Sequence, residues 1–133
     1  MDGITLTPLK KIHHPKGDIF HAMKASDVGF NGFGEAYFST VNGSDIKGWK
    51  KHSLMTLNII VIEGEIEFVI YNDKDFYKVK LSQYNYQRLT VRAGLWMAFR
   101  GTTDRNMLLN IASIEHVSSE AITKELSEIS YEW

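Results

Sequence analysis

The chain has 133 residues, a formal net charge of −1 and no cysteine, with 44% hydrophobic and 23% charged residues. These values are typical of one globular domain, 1–133. The near-neutral charge argues against a nucleic-acid partner, and the lack of cysteine excludes disulfides and a thiol nucleophile. The longest apolar run, 59–62, is too short to cross a membrane, and the N-terminus shows no secretion signal, so we expect a cytoplasmic protein without a membrane partner.

Both prolines, Pro8 and Pro15, lie near the start of the chain and predict an extended N-terminal arm over residues 1–17. The adjacent His13 and His14 fall in this arm. Because neighbouring side chains of an extended segment point in opposite directions, we interpret them as a surface pair rather than as ligands of a shared metal.

Beyond the arm, short segments with apolar alternation or continuous apolar character are separated by turn residues such as Asn42-Gly43 and Glu63-Gly64. Nine strands are predicted at 19–24, 35–41, 46–52, 56–62, 66–71, 76–81, 87–92, 95–100 and 106–114. Turns every eight to twelve residues favour an all-β sandwich or jelly roll. The apolar run 57–62 indicates a strand covered on both faces, by a second sheet or a second subunit.

Only the last segment is predicted to be helical. Ser118 or Ser119 provides a cap, Glu120 lies in the first turn, and Ile122 and Leu126 are four residues apart. The sequence therefore predicts a short C-terminal helix after the strands.

Four sequence blocks resemble a known family. They are Gly34–Ser39 (GEAYFS), Lys47–His52 (KGWKKH), Gly64–Val69 (GEIEFV) and Gly94–Phe99 (GLWMAF). Their order and spacing resemble the dTDP-4-dehydrorhamnose 3,5-epimerases, cupins that act on nucleotide-linked 4-keto sugars, over residues 17–133. The resemblance implies a double-stranded β-helix, a homodimer, a nucleotide sugar as ligand, and neither metal nor cofactor.

The chain departs from the family pattern at reactive positions. Lys50 stands where the epimerases have the histidine base, and Leu57 stands where they have a lysine. Met97 replaces a second histidine, and no tyrosine is found near Ile114, where the family has its acid. The standard epimerase machinery is therefore not present as such.

A sister group, the sugar-nucleotide 3,4-ketoisomerases, carries an Arg-Gly-x-His-x-His motif whose second histidine is the base, with a tyrosine upstream. His52 matches that second histidine, and Tyr37 lies at a similar distance upstream. The resemblance implies His52 as base, Lys50 as the group that stabilises an enolate, and Tyr37 as a third catalytic residue. Lys50 and His52 share a face of the predicted strand because they are two residues apart.

Each candidate also has a structural interpretation. His52 and Lys50 are alternatively a surface histidine and a solvated lysine, and Tyr37 is alternatively a core aromatic residue. Five further residues are candidates for substrate binding: Trp49 and Trp96 for stacking, Arg88 and Arg100 for a diphosphate, and Glu35 if it faces the interior. The tryptophans are alternatively core residues, and the arginines surface residues.

Two functions remain open at this point. The first is an enzyme that epimerises or isomerises a nucleotide-linked 4-keto-6-deoxy sugar through an enolate, in surface-polysaccharide biosynthesis. The second is a non-catalytic cupin that binds a sugar or a sugar nucleotide, or that acts only as a partner subunit. A cupin metal site needs a His-x-His pair, and only His52 lies in that motif, so no metal is expected.

Overall fold

Two five-stranded antiparallel sheets face each other and enclose the core. The computed structural model describes residues 1–133. The strands are β1 Ile4–Pro8, β2 Lys11–Ile12, β3 Ile19–Phe20, β4 Glu35–Asn42, β5 Ile46–His52, β6 Leu57–Glu63, β7 Glu65–Tyr71, β8 Phe76–Ser82, β9 Gln87–Val91, β10 Trp96–Gly101, β11 Arg105–Ala112 and β12 Ala121–Thr123. The first sheet has the order β1-β9-β6-β11-β4, and the second has the order β12-β5-β10-β7-β8. The predicted all-β jelly roll is confirmed.

The main core lies between the sheets, where the inward side chains of β6, β7 and β9 meet. Ile59, Phe68 and Leu89 are at most 1% exposed and belong to a cluster of 13 buried hydrophobic residues. Every residue from 57 to 61 is buried, and Asn58 on the outer face donates to the carbonyl of Gly29. The second sheet therefore covers one face of β6, and the chain before β4 covers part of the other.

The N-terminal arm is extended, and part of it belongs to the first sheet. Ile4–Pro8 pairs with β9 along all five residues, and the side chains of Ile4 and Leu6 pack against the core. Strands β2 and β3 form a separate small hairpin.

The predicted C-terminal helix is wrong. The segment contains only two single-turn 3-10 helices, Ser118–Glu120 and Leu126–Glu128, with the strand Ala121–Thr123 between them. Ile122 and Leu126 are both exposed, so the segment has no apolar helical stripe to bury. Pairing of β12 with the free edge of β5 satisfies its backbone instead.

The residues after β12 cover the outer face of the second sheet. Ile129 is buried against Trp49, Val69, Trp96 and Ala98 in a second hydrophobic cluster. The rings of Tyr131 and Trp133 extend this cluster toward Phe76, with ring-centroid distances of 5.0 Å for Phe76–Tyr131 and 5.0 Å for Tyr131–Trp133. No helix of the fold has the length and apolar character that a membrane span requires.

Candidate active site

A cavity of about 340 Å³ opens between the two sheets. The first sheet supplies one wall through β4, β6 and β11, and β5, β10 and β12 of the second sheet supply the other. Its lining residues are Tyr37, Ser39, Lys47, Gly48, Trp49, Lys50, His52, Leu57, Ile59, Met97, Phe99, Leu108, Asn110 and Thr123. The three predicted catalytic residues, Tyr37, Lys50 and His52, therefore border one cavity, although their roles in catalysis remain predictions.

His52 is held by a buried carboxylate from the C-terminal segment. Its Nδ1 contacts Oε1 of Glu120, whose side chain is only 3% exposed. The second carboxylate oxygen, Oε2, accepts the backbone N–H groups of Ser53, Leu54 and Met55 at 3.2, 3.0 and 3.2 Å. The charge of Glu120 is thus compensated by donors from the turn that follows β5, and this arrangement fixes the orientation of the imidazole.

The ionisation state of Glu120 determines which ring nitrogen of His52 carries a proton. Burial by itself would raise the pKa of Glu120, but the hydrogen bonds from His52 and from the backbone of Leu54 and Met55 hold the pKa below its ordinary value. An ionised carboxylate can only accept, so Nδ1 of His52 carries a proton and donates it to Glu120. In the neutral ring, Nε2 is then the basic nitrogen, and it has no protein hydrogen-bond partner.

Tyr37 lies on the opposite wall of the cavity, on the edge strand β4. Its phenol oxygen accepts a hydrogen bond of 3.0 Å from Nδ2 of Asn110 on the neighbouring strand β11. Tyr37 is 42% exposed, so its ring is not a core aromatic residue. An imidazole on one wall and a phenol on the other therefore border the same space.

A bulge in β5 brings a second lysine to the cavity. Met97 on β10 pairs with Lys50, and Phe99 pairs with Lys47, so the register between the two strands shifts by one residue. Gly48 is the residue at the bulge, with φ +145°, and a Cβ there would lie 2.5 Å from the Cβ of Ala98. The bulge places Lys47 on the same strand face as Lys50.

The two lysines differ in their surroundings. Nζ of Lys47 donates to Oγ of Ser39 and to the carbonyl of Thr40, both at 3.2 Å, and lies 5.8 Å from the ring centroid of Phe99. Lys50 is exposed and forms no hydrogen bond or ion pair through its side chain. The ammonium of Lys50 is therefore available to an anionic or carbonyl oxygen in the cavity.

Apolar side chains form the rest of the cavity wall. Leu57 and Met97, which occupy positions where the epimerase pattern has a lysine and a histidine, both line it. Ile59, Phe99 and Leu108 complete this surface. The departures from the epimerase pattern thus replace reactive groups by hydrocarbon at the site itself.

The predicted stacking tryptophans have structural roles. Trp49 and Trp96 are 0% and 2% exposed and pack on the outer face of the second sheet, beneath the C-terminal segment. The ammonium groups of Lys51 and Lys124 each lie 4.9 Å from the ring centroid of Trp96. Trp49 borders the cavity, but its indole belongs to the buried cluster. Both rings are therefore buried in this cluster, and the expectation that they stack on a substrate is wrong.

The predicted diphosphate-binding arginines also lie elsewhere. Arg88 is fully buried on the outer face of the first sheet, where it donates to the carbonyls of Ala22 and Val28 and pairs with Asp27 at 3.3 Å. Arg100 points away from the cavity and pairs with Glu67 at 3.1 Å. Both guanidinium groups already have partners in the fold, and neither lines the cavity. This corrects the expectation that they hold a diphosphate.

Glu35 precedes Tyr37 on the same strand face, but it is not among the residues that line the cavity. Three groups at the site escaped the sequence prediction: Glu120, Lys47 and Asn110. The glycine inside β5 was a signal for the bulge that exposes Lys47. Glu120 is 68 residues from His52 and gave no local signal. No group of three or more His, Cys, Asp or Glu side chains comes together in a geometry that could hold a metal.

The fold and the cavity define a cupin-type jelly roll with a cavity between its sheets that a histidine, a tyrosine and two lysines line. No family model and no curated protein matches the chain. A solved dTDP sugar isomerase from Desulfovibrio desulfuricans is 30% identical, with a TM-score of 0.93 over 99% of this chain and 91% of that chain. This protein therefore belongs to the cupin family of sugar-nucleotide epimerases and isomerases.

More distant structures share the fold. A 3,4-ketoisomerase from Thermoanaerobacterium thermosaccharolyticum, solved in complex with TDP-4-keto-6-deoxyglucose, is 18% identical with a TM-score of 0.82, over 92% of this chain and 88% of that chain. An epimerase from Mycobacterium tuberculosis is 15% identical with a TM-score of 0.81, over 92% of this chain and 68% of that chain. At these identities the likeness establishes the fold alone.

Proposed function

We propose that this protein epimerises or isomerises a nucleotide-linked 4-keto-6-deoxy sugar, in the biosynthesis of deoxysugars for a surface polysaccharide. One observation carries the proposal. His52 is held by the ionised Glu120, so that its basic nitrogen is left for a ligand in the cavity that Tyr37 and Lys50 also line. A dTDP sugar isomerase and a ketoisomerase bound to TDP-4-keto-6-deoxyglucose among the relatives support the choice of ligand.

The proposed reaction begins with proton abstraction. Nε2 of His52 removes a proton from a carbon next to the keto group, the electrons of that C–H bond form a C=C bond, and the carbonyl oxygen becomes an enolate. Glu120 stabilises the resulting imidazolium through Nδ1–H. The hydroxyl of Tyr37 and the ammonium of Lys50 stabilise the negative oxygen.

The fate of the enolate decides the product. Return of a proton to the opposite face of the same carbon inverts that centre. Return of a proton to the former carbonyl carbon, with transfer of the neighbouring hydroxyl proton to the enolate oxygen, moves the carbonyl by one position. Every group needed for either outcome is an acid or a base on this chain, so the proposal requires no cofactor.

Solvent exchange tests the proposal. The protein is incubated in D₂O with dTDP-4-keto-6-deoxyglucose, and proton NMR follows loss of the signals next to the keto group and the identity of the product. We expect exchange in the wild type and a decrease of about 10²–10⁴-fold in His52→Gln. His116→Gln is the matched control, because His116 is exposed and does not line the cavity. Equal exchange rates in the two variants would contradict the role of His52.

A second candidate is a non-catalytic sugar-nucleotide binder. It is favoured by Leu57 and Met97, which put hydrocarbon where the epimerase pattern has reactive groups. It predicts binding of dTDP-sugar by titration calorimetry with no exchange in the wild type even at high protein concentration. Detectable exchange that depends on His52 would exclude it.

The proposal includes a homodimer and a cytoplasmic location. Support for the dimer comes from apolar side chains exposed around the first sheet: Phe33 and Phe38, both 64% exposed, and Ile62, 42% exposed. Light scattering tests it. We expect twice the monomer mass, and a shift toward monomer in Phe38→Lys. A monomeric wild type at micromolar concentration would disprove the dimer.

A further inference from the structure

Asn110 is a buried amide that contacts one of the proposed catalytic groups. It lies on the inward face of β11, directly opposite Tyr37 of β4 in the strand register, and it is 1% exposed. Its oxygen is 3.1 Å from the backbone nitrogen of Asn58, and its nitrogen is 3.0 Å from the phenol oxygen of Tyr37. Both ends of the amide are therefore engaged.

The backbone of Asn58 determines which end of the amide faces Tyr37. A backbone N–H can only donate, so the Asn110 atom beside it must be the oxygen Oδ1. The atom beside Tyr37 must then be Nδ2, which also can only donate. The phenol oxygen of Tyr37 accepts this bond, and its single hydroxyl proton cannot be shared with Asn110.

Asn58 is itself held in place on the other face of the sheet. Its Oδ1 accepts the hydroxyl of Thr90 at 2.6 Å, and its Nδ2 donates to the carbonyl of Gly29 at 3.0 Å. Asn58 and Thr90 are 2% and 3% exposed, so water does not compete for these bonds. The orientation of the Asn110 amide is therefore fixed by a buried network and does not depend on a ligand.

We propose that Asn110 is a positioning residue that commits the Tyr37 hydroxyl to donate into the cavity. This inference rests on the proposed function, in which Tyr37 donates to the oxygen that becomes an enolate. The bond from Asn110 also polarises the Tyr37 hydroxyl, which strengthens the hydrogen bond that this hydroxyl donates to the substrate oxygen.

Asn110→Asp reverses this bond with almost no change of shape. One carboxylate oxygen still accepts from Asn58, whereas the other can only accept from Tyr37, so the phenol turns its proton away from the cavity. We expect kcat to fall by about 10²-fold at neutral pH, with KM little changed. Activity relative to the wild type should recover as the pH falls, because the introduced carboxyl group, once protonated, can again donate to Tyr37.

A spectroscopic measurement separates the orientation of Tyr37 from turnover. The vibrational difference spectrum between the wild type and Tyr37→Phe isolates the phenolic C–O stretch of Tyr37, and the same difference is measured in the Asn110→Asp background. In the wild-type background we expect the C–O stretching frequency of a phenol that accepts a hydrogen bond from residue 110. In the Asn110→Asp background we expect the frequency of a phenol that donates to it. Identical frequencies would overturn the proposal.

Failure of the proposed function and failure of the positioning role of Asn110 give different experimental results. Absence of exchange in the wild type would disprove the proposed function while leaving the spectroscopic result intact. If Asn110→Asp does not fold, Asn110→Leu provides the test, because it removes the amide without adding charge. We expect a fall in kcat of about tenfold with KM preserved. A wild-type kcat in this variant would overturn the positioning role.

Discussion

The seven residues of strand β5 are divided between two faces that have different roles. On the outer face, Trp49 is fully buried and Lys51 lies over the ring of Trp96. On the inner face, Lys50 has no protein partner, and His52 keeps one ring nitrogen free. The comparison indicates that the outer face holds the strand in place, so that the inner face can leave polar groups unpaired for a ligand.

The largest effect is expected from a substitution on the outer face of β5. Trp49→Ala removes a large side chain from a fully buried site, and we expect the free energy of unfolding to fall by about 3–5 kcal/mol. Urea denaturation measures it. An inner-face Lys50→Ala is the control, and we expect it to change stability by no more than about 0.5 kcal/mol. Similar losses in both variants would refute the distinction between the faces.

A substitution at Gly48 tests whether both faces of β5 depend on the bulge at this residue. In Gly48→Ala the new Cβ meets the Cβ of Ala98 at 2.5 Å, and the residue has φ +145°. We expect a loss of about 2–3 kcal/mol together with weaker ligand binding, because Lys47 moves with the bulge. Gly94→Ala, at φ +94° with no atom near its Cβ, isolates the conformational cost of about 1 kcal/mol. Equal losses in the two variants would show that the contact with Ala98 does not matter.

A lysine from each face gives a sharper comparison. Lys50→Met removes the ammonium from the cavity, and we expect kcat for the keto sugar to fall by about tenfold without a loss of stability. Lys51→Met removes a cation from Trp96 on the outer face, and we expect it to lower stability by about 0.5–1 kcal/mol with kcat unchanged. The reverse pattern would show that the faces have been assigned the wrong way round.

The smallest effect concerns acid stability. The hydrogen bonds around Glu120 lower its pKa in the folded state below the ordinary value of 4.5, so the ionised group stabilises the fold above that pH. This contribution is lost as the pH falls from about 5 through the lowered pKa. The difference in unfolding free energy between the wild type and Glu120→Gln should therefore be smaller at about pH 3.5 than at about pH 7. A constant difference would show that Glu120 does not titrate with folding.

Much of the fold could be predicted because strands leave local signals. β5 has the predicted bounds, and the chain turns at Glu63-Gly64 where the sequence indicates it. The expectation that this turn forms a hairpin is wrong, because β6 and β7 lie in different sheets. Strand β12 was missed because three residues are too few to show a period. Its pairing with β5 was decided by an open sheet edge that sequence patterns do not record.

The site was only partly predictable for a similar reason. Lys50 and His52 share a face through their spacing, and Tyr37 follows from the family resemblance. Arg88 was misassigned because a sequence does not show that a guanidinium is buried against Asp27 and backbone carbonyls. Glu120 was missed because its contact with His52 exists only in the folded chain.

The contact between Glu120 and His52 also has a consequence for protein synthesis. A ribosome makes β5 and its histidine long before it makes Ala121–Thr123, so a nascent chain has an unpaired β5 edge and an unanchored imidazole. Open edges of this kind invite pairing with other chains. The proposed base therefore acquires its orientation only after Glu120 has left the ribosome, and a chain stalled before Glu120 should be both inactive and prone to aggregation.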